Sequence, residues 1–334
     1  MIQILVPQKR SGGVYDYSST LQEALGGDVA GLVPLSKANA VDWKAGHGDP
    51  VILQMSGYGF AKRGAPLWLL RELEQRRGRI GALGIFFHEL YASGPPWSSS
   101  FWLSPVQRYI SRRLGELSDF WMTSQECSAQ WLRQYADDKP HAVLPVFSNV
   151  GELVELREPR LPRIVVFGSP ELRQASYQSA GGRFFVWARE AALEIHDIGA
   201  PVLDTRLAEV LQLNGVVQHG RLSGHEVSGL MGNALFGLLA YPAEFVAKSG
   251  VFAAYCAHAV CTMLMSNHHA KADGLAADAH YLAGIPEAGI MTKAEAIGRS
   301  AWEWYRPHGI ANHVKTLNRL VQGAKAKAPA SHTG

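Results

Sequence analysis

Lys248 and Ser249 form the part of this chain with the most specific chemistry. They stand between an apolar segment that ends at Pro242 and an apolar run that begins at Val251. This pattern predicts a strand, a short polar loop and a helix that begins near Ser249. The backbone N–H groups at such a helix N-terminus, with an ammonium group and a hydroxyl beside them, suit an anionic ligand such as a diphosphate.

Gly12 and Gly13 form a second turn of this kind, after the first apolar segment of the chain, residues 2–7. Glycine would let the backbone approach a phosphate or a sugar closely, or it would only serve a tight strand-to-helix turn, and the sequence leaves both interpretations open. The full G-x-G-x-x-G fingerprint is absent, so a dinucleotide cofactor is not indicated. Two such turns, one in each half, predict a ligand held between two domains.

His88 and Glu89 follow residues 80–87, a nearly continuous apolar segment typical of a strand buried on both faces of a parallel sheet. Such a strand end is where α/β proteins place catalytic groups, and an imidazole there can donate to a hydroxyl or to a developing charge. The alternative is a histidine that only caps the strand. Arg173 follows the first strand of the second half, where its charge would meet a diphosphate or simply face solvent.

Two cysteines, Cys256 and Cys261, and nearby histidines raise the question of a metal site. The cysteines straddle a predicted helix–strand junction and match no standard zinc spacing. The chain has no Asp-x-Asp, no P-loop and no G-x-S-x-G element. We therefore predict neither a metal nor another bound cofactor.

Residues 97–117 combine aromatic and basic side chains. A helix is predicted from Ser104-Pro105 onward, with its apolar positions at Val106, Tyr109, Ile110, Leu114 and Leu117 and its arginines at Arg108, Arg112 and Arg113. Aromatic rings next to arginines suit a lipid-linked acceptor or an anionic membrane surface. The alternative is an ordinary amphipathic helix packed on the sheet.

The composition is that of a globular protein, with 47% hydrophobic and 18% charged residues and a net charge of +3. This charge is too small to indicate a nucleic-acid partner. No apolar run reaches the roughly 18 residues of a membrane span, and the N-terminal residues read as a strand rather than a signal peptide. Three cysteines in 334 residues suit a reducing compartment, so we expect a cytoplasmic protein that is peripheral to the inner membrane at most.

Strand-like and helix-like segments alternate through both halves, which predicts parallel sheets with right-handed crossovers. We expect an α/β protein of two Rossmann-like domains: residues 1–155, and residues 160–304. The charged, proline-containing segment 150–162 is the predicted linker. A helix at residues 305–322 would return to the first domain, and residues 323–334 are predicted to be a disordered tail.

These features resemble the GT-B fold glycosyltransferases, most closely the retaining family-four type of bacterial polysaccharide synthesis. The resemblance spans nearly the whole chain. It rests on the Gly12-Gly13 turn, on His88 ahead of a Pro/Trp-rich loop, on the strand–glycine segment 217–223, on the strand–loop–helix–strand block 240–265, and on residues 302–307 leading into a helix at 310–321.

The resemblance implies two domains facing across a cleft and transfer of a sugar from a nucleotide diphosphate-sugar co-substrate to a glycan or lipid-linked acceptor, with retention and without a metal. It implies catalytic roles for His88 and Glu89. The residues implied for nucleotide-sugar binding are Gly12, Gly13, Arg173, Glu244, Lys248 and Ser249.

The family's second glutamate, which usually holds the ribose, would fall among residues 251–255, where no acidic residue stands. Two alternatives therefore stay open: a non-catalytic GT-B protein that binds a glycan, a nucleotide or a partner enzyme, and a nucleotide-sugar epimerase of the same fold.

Overall fold

The computed structural model describes residues 1–9, 12–46, 48–92, 97, 99–156, 159–287 and 289–327. The chain divides into two compact units. The first unit contains Met1–Pro145 and Ile310–Gly334, and the second contains Val146–Gly309. The segment expected to be the linker, residues 150–162, lies within the second unit.

The first unit is a parallel six-stranded sheet in the order β2-β1-β3-β4-β5-β6 with flanking helices. Its strands are β1 (Ile2–Pro7), β2 (Ala30–Leu35), β3 (Pro50–Met55), β4 (Ala82–Phe87), β5 (Phe120–Thr123) and β6 (His141–Val143). Its helices are α1 (Gly13–Leu25), α2 (Gly57–Phe60), α3 (Leu67–Arg76), α4 (Ser99–Leu117) and α5 (Glu126–Ala136), together with the last helix of the chain, α12 (Ile310–Lys327).

The second unit is also a parallel six-stranded sheet, in the order β12-β11-β10-β7-β8-β9. Its strands are β7 (Leu161–Phe167), β8 (Glu194–Ile198), β9 (Val217–Gly220), β10 (Ala234–Ala240), β11 (Cys261–Met265) and β12 (Leu282–Ala283). Its helices are α6 (Pro170–Ala180), α7 (Gly182–Glu190), α8 (Thr205–Leu213), α9 (Gly224–Met231), α10 (Gly250–Ala257) and α11 (Met291–Tyr305). The predicted fold class, two Rossmann-like domains, is confirmed.

A glycine in a central strand of each sheet lets a large aromatic side chain pack directly on the backbone. A Cβ built on Gly84 of β4 would lie 2.2 Å from the ring of Phe120, and one on Gly237 of β10 would lie 2.8 Å from the ring of Tyr255. Both rings are almost fully buried. In both cores, a side chain at the glycine position would displace a buried aromatic ring.

Each sheet reverses its strand order at one place, and ligands of such sheets bind beyond the carboxyl ends of the strands at that reversal. In the first unit the reversal lies between β1 and β3. In the second it lies between β7 and β10. These two strand edges are where functional side chains are expected.

Two sequence predictions need correction. The helix expected from Ser104-Pro105 begins earlier, at Ser99, and carries Pro105 inside it. Proline fits most easily in a first helical turn, which is why the sequence pattern indicates a later start. The predicted tail also begins too early, because α12 continues to Lys327 with Val321 and Ala324 buried; residues 328–334 lie outside the described residues.

Candidate functional site

Two helices of the second unit begin side by side at the strand-order reversal. The side chains of Ser169 and Ser249 cap α6 and α10, each accepting a backbone N–H three residues along the helix at 3.3 Å. A Cβ on Gly168 would lie 3.3 Å from Cγ2 of Val251, in the first turn of α10. Two helix N-termini that meet in this way favour an anion through their N–H groups and dipoles.

Lys248 lies directly before the α10 cap, at the end of a 3₁₀ helix that spans Ala243–Lys248. Its ammonium group is 5.0 Å from the centre of the Phe245 ring, within the range of a cation–π contact. The predicted helix start near Ser249 is confirmed. The polar loop expected before it is a turn of 3₁₀ helix, which holds Lys248 in a defined place beside the helix N-terminus.

An open pocket of about 510 Å³ lies at the carboxyl ends of β10 and β11. Its lining consists of Ser179, Ala240, Tyr241, Pro242, Glu244, Met265, Ser266, Asn267 and His268. The Ser266 hydroxyl accepts the Ala243 N–H at 3.1 Å and donates to the His268 carbonyl at 2.8 Å, so the strand ends are tied together. Hydroxyl, amide, imidazole and carboxylate groups of this kind can bind the hydroxyls of a sugar.

Arg173 is fully buried inside the second unit. Its Nε donates to the Gly168 carbonyl at 3.1 Å, and its two terminal nitrogens bond the Asp197 carboxylate and the Ala200 carbonyl. Asp197 also accepts from the Tyr177 hydroxyl at 3.0 Å. The contact of Arg173 with a diphosphate stays a prediction, and it would require these bonds to open.

The segment where the family's second glutamate would fall is part of the core. Residues Phe252, Ala253, Ala254 and Tyr255 of α10 are all buried. The Phe252 ring lies 6.4 Å from that of Tyr281 and 6.1 Å from that of Trp304. The residues of this part of α10 therefore pack in the apolar core.

In the first unit, α1 follows β1 in the chain, with Gly12 as its N-cap and Gly13 as its first residue. Gly12 has φ of +100°, a conformation that side chains rarely adopt, and its carbonyl accepts the Asp16 N–H at 3.0 Å. A Cβ on either glycine would meet no heavy atom within 4 Å. The turn thus needs glycine at position 12, and among the described residues no atom outside the turn would meet a Cβ at either position.

His88 and Glu89 stand at the carboxyl end of β4, as predicted. The His88 N–H donates to the Met55 carbonyl at 3.0 Å, and its Nε2 lies 2.8 Å from Oε1 of Gln54. Glu89 is exposed, and its carboxylate accepts from the Ser56 hydroxyl at 3.5 Å. Tyr17, one turn into α1, has its ring 5.0 Å from that of His88. The structure thus brings the start of α1 and His88 to one edge of the sheet.

Several polar residues at these edges were not found from the sequence. Ser169 has the clearest signal of them in the sequence, because Gly168-Ser169-Pro170 places a preferred cap residue before a proline at the first helical position. Gln54 gave a weaker signal: it is one amide in an otherwise apolar strand. The Ser266–His268 lining gave none, since its position depends on where β11 ends.

The cysteines and His258 belong to the interior of the second unit. Burial raises the pKa of the Cys256 and Cys261 thiols. His258 donates from Nδ1 to the Ala254 carbonyl at 2.8 Å and accepts from the Ser228 hydroxyl at 2.7 Å. Among the residues that the structure describes, no group of three or more His, Cys, Asp or Glu side chains could hold a metal ion.

Aromatic side chains at the start of α4 and before it face solvent. Trp97 is 86% exposed, Trp102 71% and Tyr109 52%, so Tyr109 is not part of the packed face predicted for this helix. Ile110 and Leu114 form that face and are fully buried. No helix in the described part of the chain combines the length and the apolar character that crossing a membrane requires.

No model of a known protein family matches the sequence, and the curated proteins give no sequence match to it. Solved structures do match the fold. An α-glucosyltransferase in complex with UDP and a 13-mer DNA aligns over 96% of this chain and 99% of its own, with a TM-score of 0.54 and 9% identity. The α,α-trehalose 6-phosphate synthase of Burkholderia multivorans aligns over 87% of this chain and 73% of its own, with a TM-score of 0.52 and 12% identity.

The GtfA/B complex also matches, with a TM-score of 0.52 and 13% identity over 87% of this chain. This chain spans 60% of the length of that protein. The matched structures are glycosyltransferases with two Rossmann-like domains. This chain also consists of two such domains. The chain has the GT-B fold.

Within this GT-B chain, the predicted site residues divide into three groups. Gly12, Gly13, His88 and Glu89 lie at the carboxyl edge of the first sheet, and Glu244, Lys248 and Ser249 lie at that of the second. Arg173 belongs to the second edge by sequence, but its side chain is turned into the domain.

Proposed function

We propose that this protein is a glycosyltransferase that moves a sugar from a nucleotide diphosphate-sugar to a hydroxyl of a glycan or lipid-linked acceptor. The observation that carries the proposal is the meeting of the α6 and α10 N-termini, beside Lys248, at the strand-order reversal of a GT-B domain. Paired helix N-termini next to a cation are well suited to a diphosphate.

In this proposal the diphosphate of the donor lies at the N–H groups that open α6 and α10, and Lys248 balances its charge. The donor sugar is assigned to the polar pocket of about 510 Å³, where Glu244 and the Ser266–His268 strand end offer partners for hydroxyls. The match to an α-glucosyltransferase solved with UDP supports a nucleotide donor.

His88 is assigned to the reacting bond. Its half-exposed ring stands at a strand end beside Tyr17 of α1, where it can hydrogen-bond to the donor sugar or to the acceptor hydroxyl. Glu89 lies beside it with an exposed carboxylate. Such groups typically contribute about 10²–10⁴-fold to a rate.

The departing diphosphate needs charge stabilisation in the transition state. We assign this to Lys248 and the helix N-termini, in the place that a metal takes in other enzymes. Retention at the anomeric carbon is proposed separately, from the resemblance to the family-four type. Activity that persists in a chelator would support the metal-independent route, and loss of activity restored by Mg²⁺ would contradict it.

A specific observation favours a second candidate, a non-catalytic GT-B protein that binds a glycan, nucleotide or partner enzyme. Phe252, which is 1% exposed, belongs to residues 251–255, where family-four enzymes would carry an acidic side chain that holds the ribose. The nucleoside must then be held by other groups, or the site serves binding without transfer.

One experiment separates the two candidates. The protein is incubated with a panel of nucleotide sugars and acceptors, and release of nucleoside diphosphate is followed. We expect turnover with at least one donor and a fall of about 100-fold or more in His88→Ala. If no donor is consumed while a glycan or a partner still binds, the non-catalytic candidate is correct. A Glu89→Gln variant shows whether the neighbouring carboxylate shares the role.

We also propose that the exposed aromatic side chains of α4 contact a membrane surface that carries a lipid-linked acceptor. Phe101 and Trp102 form an edge-to-face pair with ring centres 5.4 Å apart, and both are exposed. The Arg108 guanidinium lies 4.2 Å over the Tyr91 ring on the same helix–loop region. Aromatic rings flanked by arginine are suited to an anionic lipid interface.

A further inference from the structure

Gln54 is an amide buried in the centre of the first sheet. It lies in β3, which is buried along its whole length between β1 and β4, and its side chain is 0% exposed. A buried amide lowers the stability of the fold unless it is hydrogen-bonded. Glutamine is therefore an unfavourable residue in an apolar strand. Its Oε1 lies 2.8 Å from Nε2 of His88, and its Nε2 has no partner among the described residues.

This contact selects between the two tautomers of a neutral His88 ring. A carbonyl oxygen only accepts, so Nε2 of His88 is the donor, and the neutral ring then carries its proton on Nε2. The basic nitrogen of the neutral ring is Nδ1. The backbone of His88 is fixed as well, because its N–H donates to the Met55 carbonyl at 3.0 Å. The carboxamide of Gln54 thus selects one tautomer and one ring position.

The plane of the ring is set by aromatic neighbours. The Phe86 ring centre lies 4.5 Å from that of His88, and the Tyr17 ring lies 5.0 Å away at an interplanar angle of 81°. Tyr17 in turn donates its hydroxyl to Nδ1 of His313 at 2.9 Å. His313, on α12, donates from Nε2 to the Pro145 carbonyl at 2.9 Å. Tyr17 and His313 are both buried.

We propose that Gln54 and the hydrogen-bonded pair of Tyr17 and His313 position the side chain of His88. Gln54 sets the tautomer and the place of the ring, and the Tyr17–His313 hydrogen bond holds the ring that packs against it. The consequence for catalysis rests on the proposed function, whereas the effect on the protonation of His88 does not. Burial raises the pKa of Tyr17 and keeps its phenol a hydrogen-bond donor.

The test measures His88 itself. The protein is labelled with ¹⁵N-histidine, the His88 ring signals are assigned by their loss in His88→Ala, and tautomer and titration midpoint are read from ring nitrogen shifts. We expect the Nε2–H tautomer in the parent protein. We expect Gln54→Glu to raise the midpoint, because a carboxylate favours the charged ring. We expect Gln54→Met to lower it and to mix the tautomers, because an acceptor is lost.

Gln107 provides a matched control. It is also a buried glutamine of the first unit, and it accepts from the Ala92 N–H at 2.7 Å and donates to the Arg63 carbonyl at 3.2 Å. Gln107→Met should destabilise the fold to a similar extent and leave the His88 signals unchanged. If Gln54→Met fails to fold, Tyr17→Phe keeps the ring and removes the hydroxyl that bonds His313. We expect a smaller change in the His88 shifts in that variant.

The outcomes separate the two levels of the proposal. An Nδ1–H tautomer in the parent protein, or shifts and midpoint unchanged in both Gln54 variants, overturns the positioning role even if the protein turns over a donor. The expected shifts in a protein that consumes no donor leave the positioning role standing and overturn the transferase assignment. If both hold, Gln54→Met should lower kcat about 10-fold with little change in KM, since the bound geometry of the reacting group is disturbed.

Discussion

The carboxyl edges of the two sheets use polar residues in opposite ways. At the first edge, the His88 ring is left half-exposed, and the buried amide of Gln54 contacts it from inside the sheet. At the second edge, the charged residue that follows β7 turns inward, and Arg173 pairs with Asp197 in the core. The comparison shows what a sequence position can predict. A residue that follows a buried strand must lie at the carboxyl edge of the sheet, but its side chain can point either to solvent or into the core.

The largest effect is expected from removing the inward charge. Arg173→Met leaves the Asp197 carboxylate buried without its cation, which should lower the free energy of unfolding by about 3–5 kcal/mol. Urea unfolding of the variant measures this. At the first edge, Gln54→Met should cost only about 1–3 kcal/mol, because it removes a neutral partner.

A double variant sharpens the interpretation. Arg173→Met combined with Asp197→Leu removes both charges and should recover much of the lost stability. If Arg173→Met instead unfolds like the parent protein but no longer binds a nucleoside diphosphate, the side chain faces the ligand, and the contrast between the two edges disappears.

A smaller effect is expected from the outward charge at the second edge. Lys248→Ala should weaken binding of a nucleoside diphosphate about 10-fold, or about 1.4 kcal/mol, and leave binding of the bare nucleoside unchanged. Isothermal titration without added metal measures both ligands. Lys293→Ala serves as the control, since this lysine of the same unit pairs with Asp278 at 3.1 Å on the surface. Equal affinity in the Lys248 variant and the parent protein would remove Lys248 from the site.

The smallest effect is expected when exposed apolar side chains are replaced and binding to vesicles is measured. Trp102→Glu should reduce binding to anionic phospholipid vesicles about five-fold, because an interfacial aromatic ring is lost and a like charge is added. Leu213→Glu changes a side chain of similar exposure, 85%, in the second unit and should have no effect. Co-sedimentation measures the bound fraction. Two outcomes would contradict a specific role for α4: no binding of the parent protein to vesicles, or an equal loss of binding in both variants.

Sequence patterns were sufficient for most of the fold. The runs that became β3 and β4 are apolar at nearly every position, so burial in a parallel sheet could be predicted from them alone. The strand β8 has no apolar run that would predict it, because Glu194, His196 and Asp197 make up most of it. In the structure His196 bonds His219 at 2.8 Å and Asp197 bonds Arg173, so these polar groups are satisfied inside the unit.

The candidate site was predictable in its location but less so in its chemistry. His88 and the helix start at Ser249 follow from local patterns that mark strand and helix ends. The inward turn of Arg173 depends on Asp197 and Ala200, which lie on the next strand and in the loop after it. The support of His88 depends on a residue 34 positions earlier in the chain. Pairings of this range follow from the fold and not from local sequence.

The helix α12 completes the first unit although the chain reaches it only after the second. Its His313 bonds Tyr17 and the Pro145 carbonyl, and Leu317, Leu320 and Val321 are buried in the first unit. During synthesis, residue 145 is added roughly 10–30 s before Ile310, at about 5–20 residues per second. Through that interval the core beneath His88 has one side uncovered, so the first unit reaches its final packing only when the second unit has already been made. A chaperone that binds exposed apolar surface would have its longest opportunity on this nascent chain in that interval.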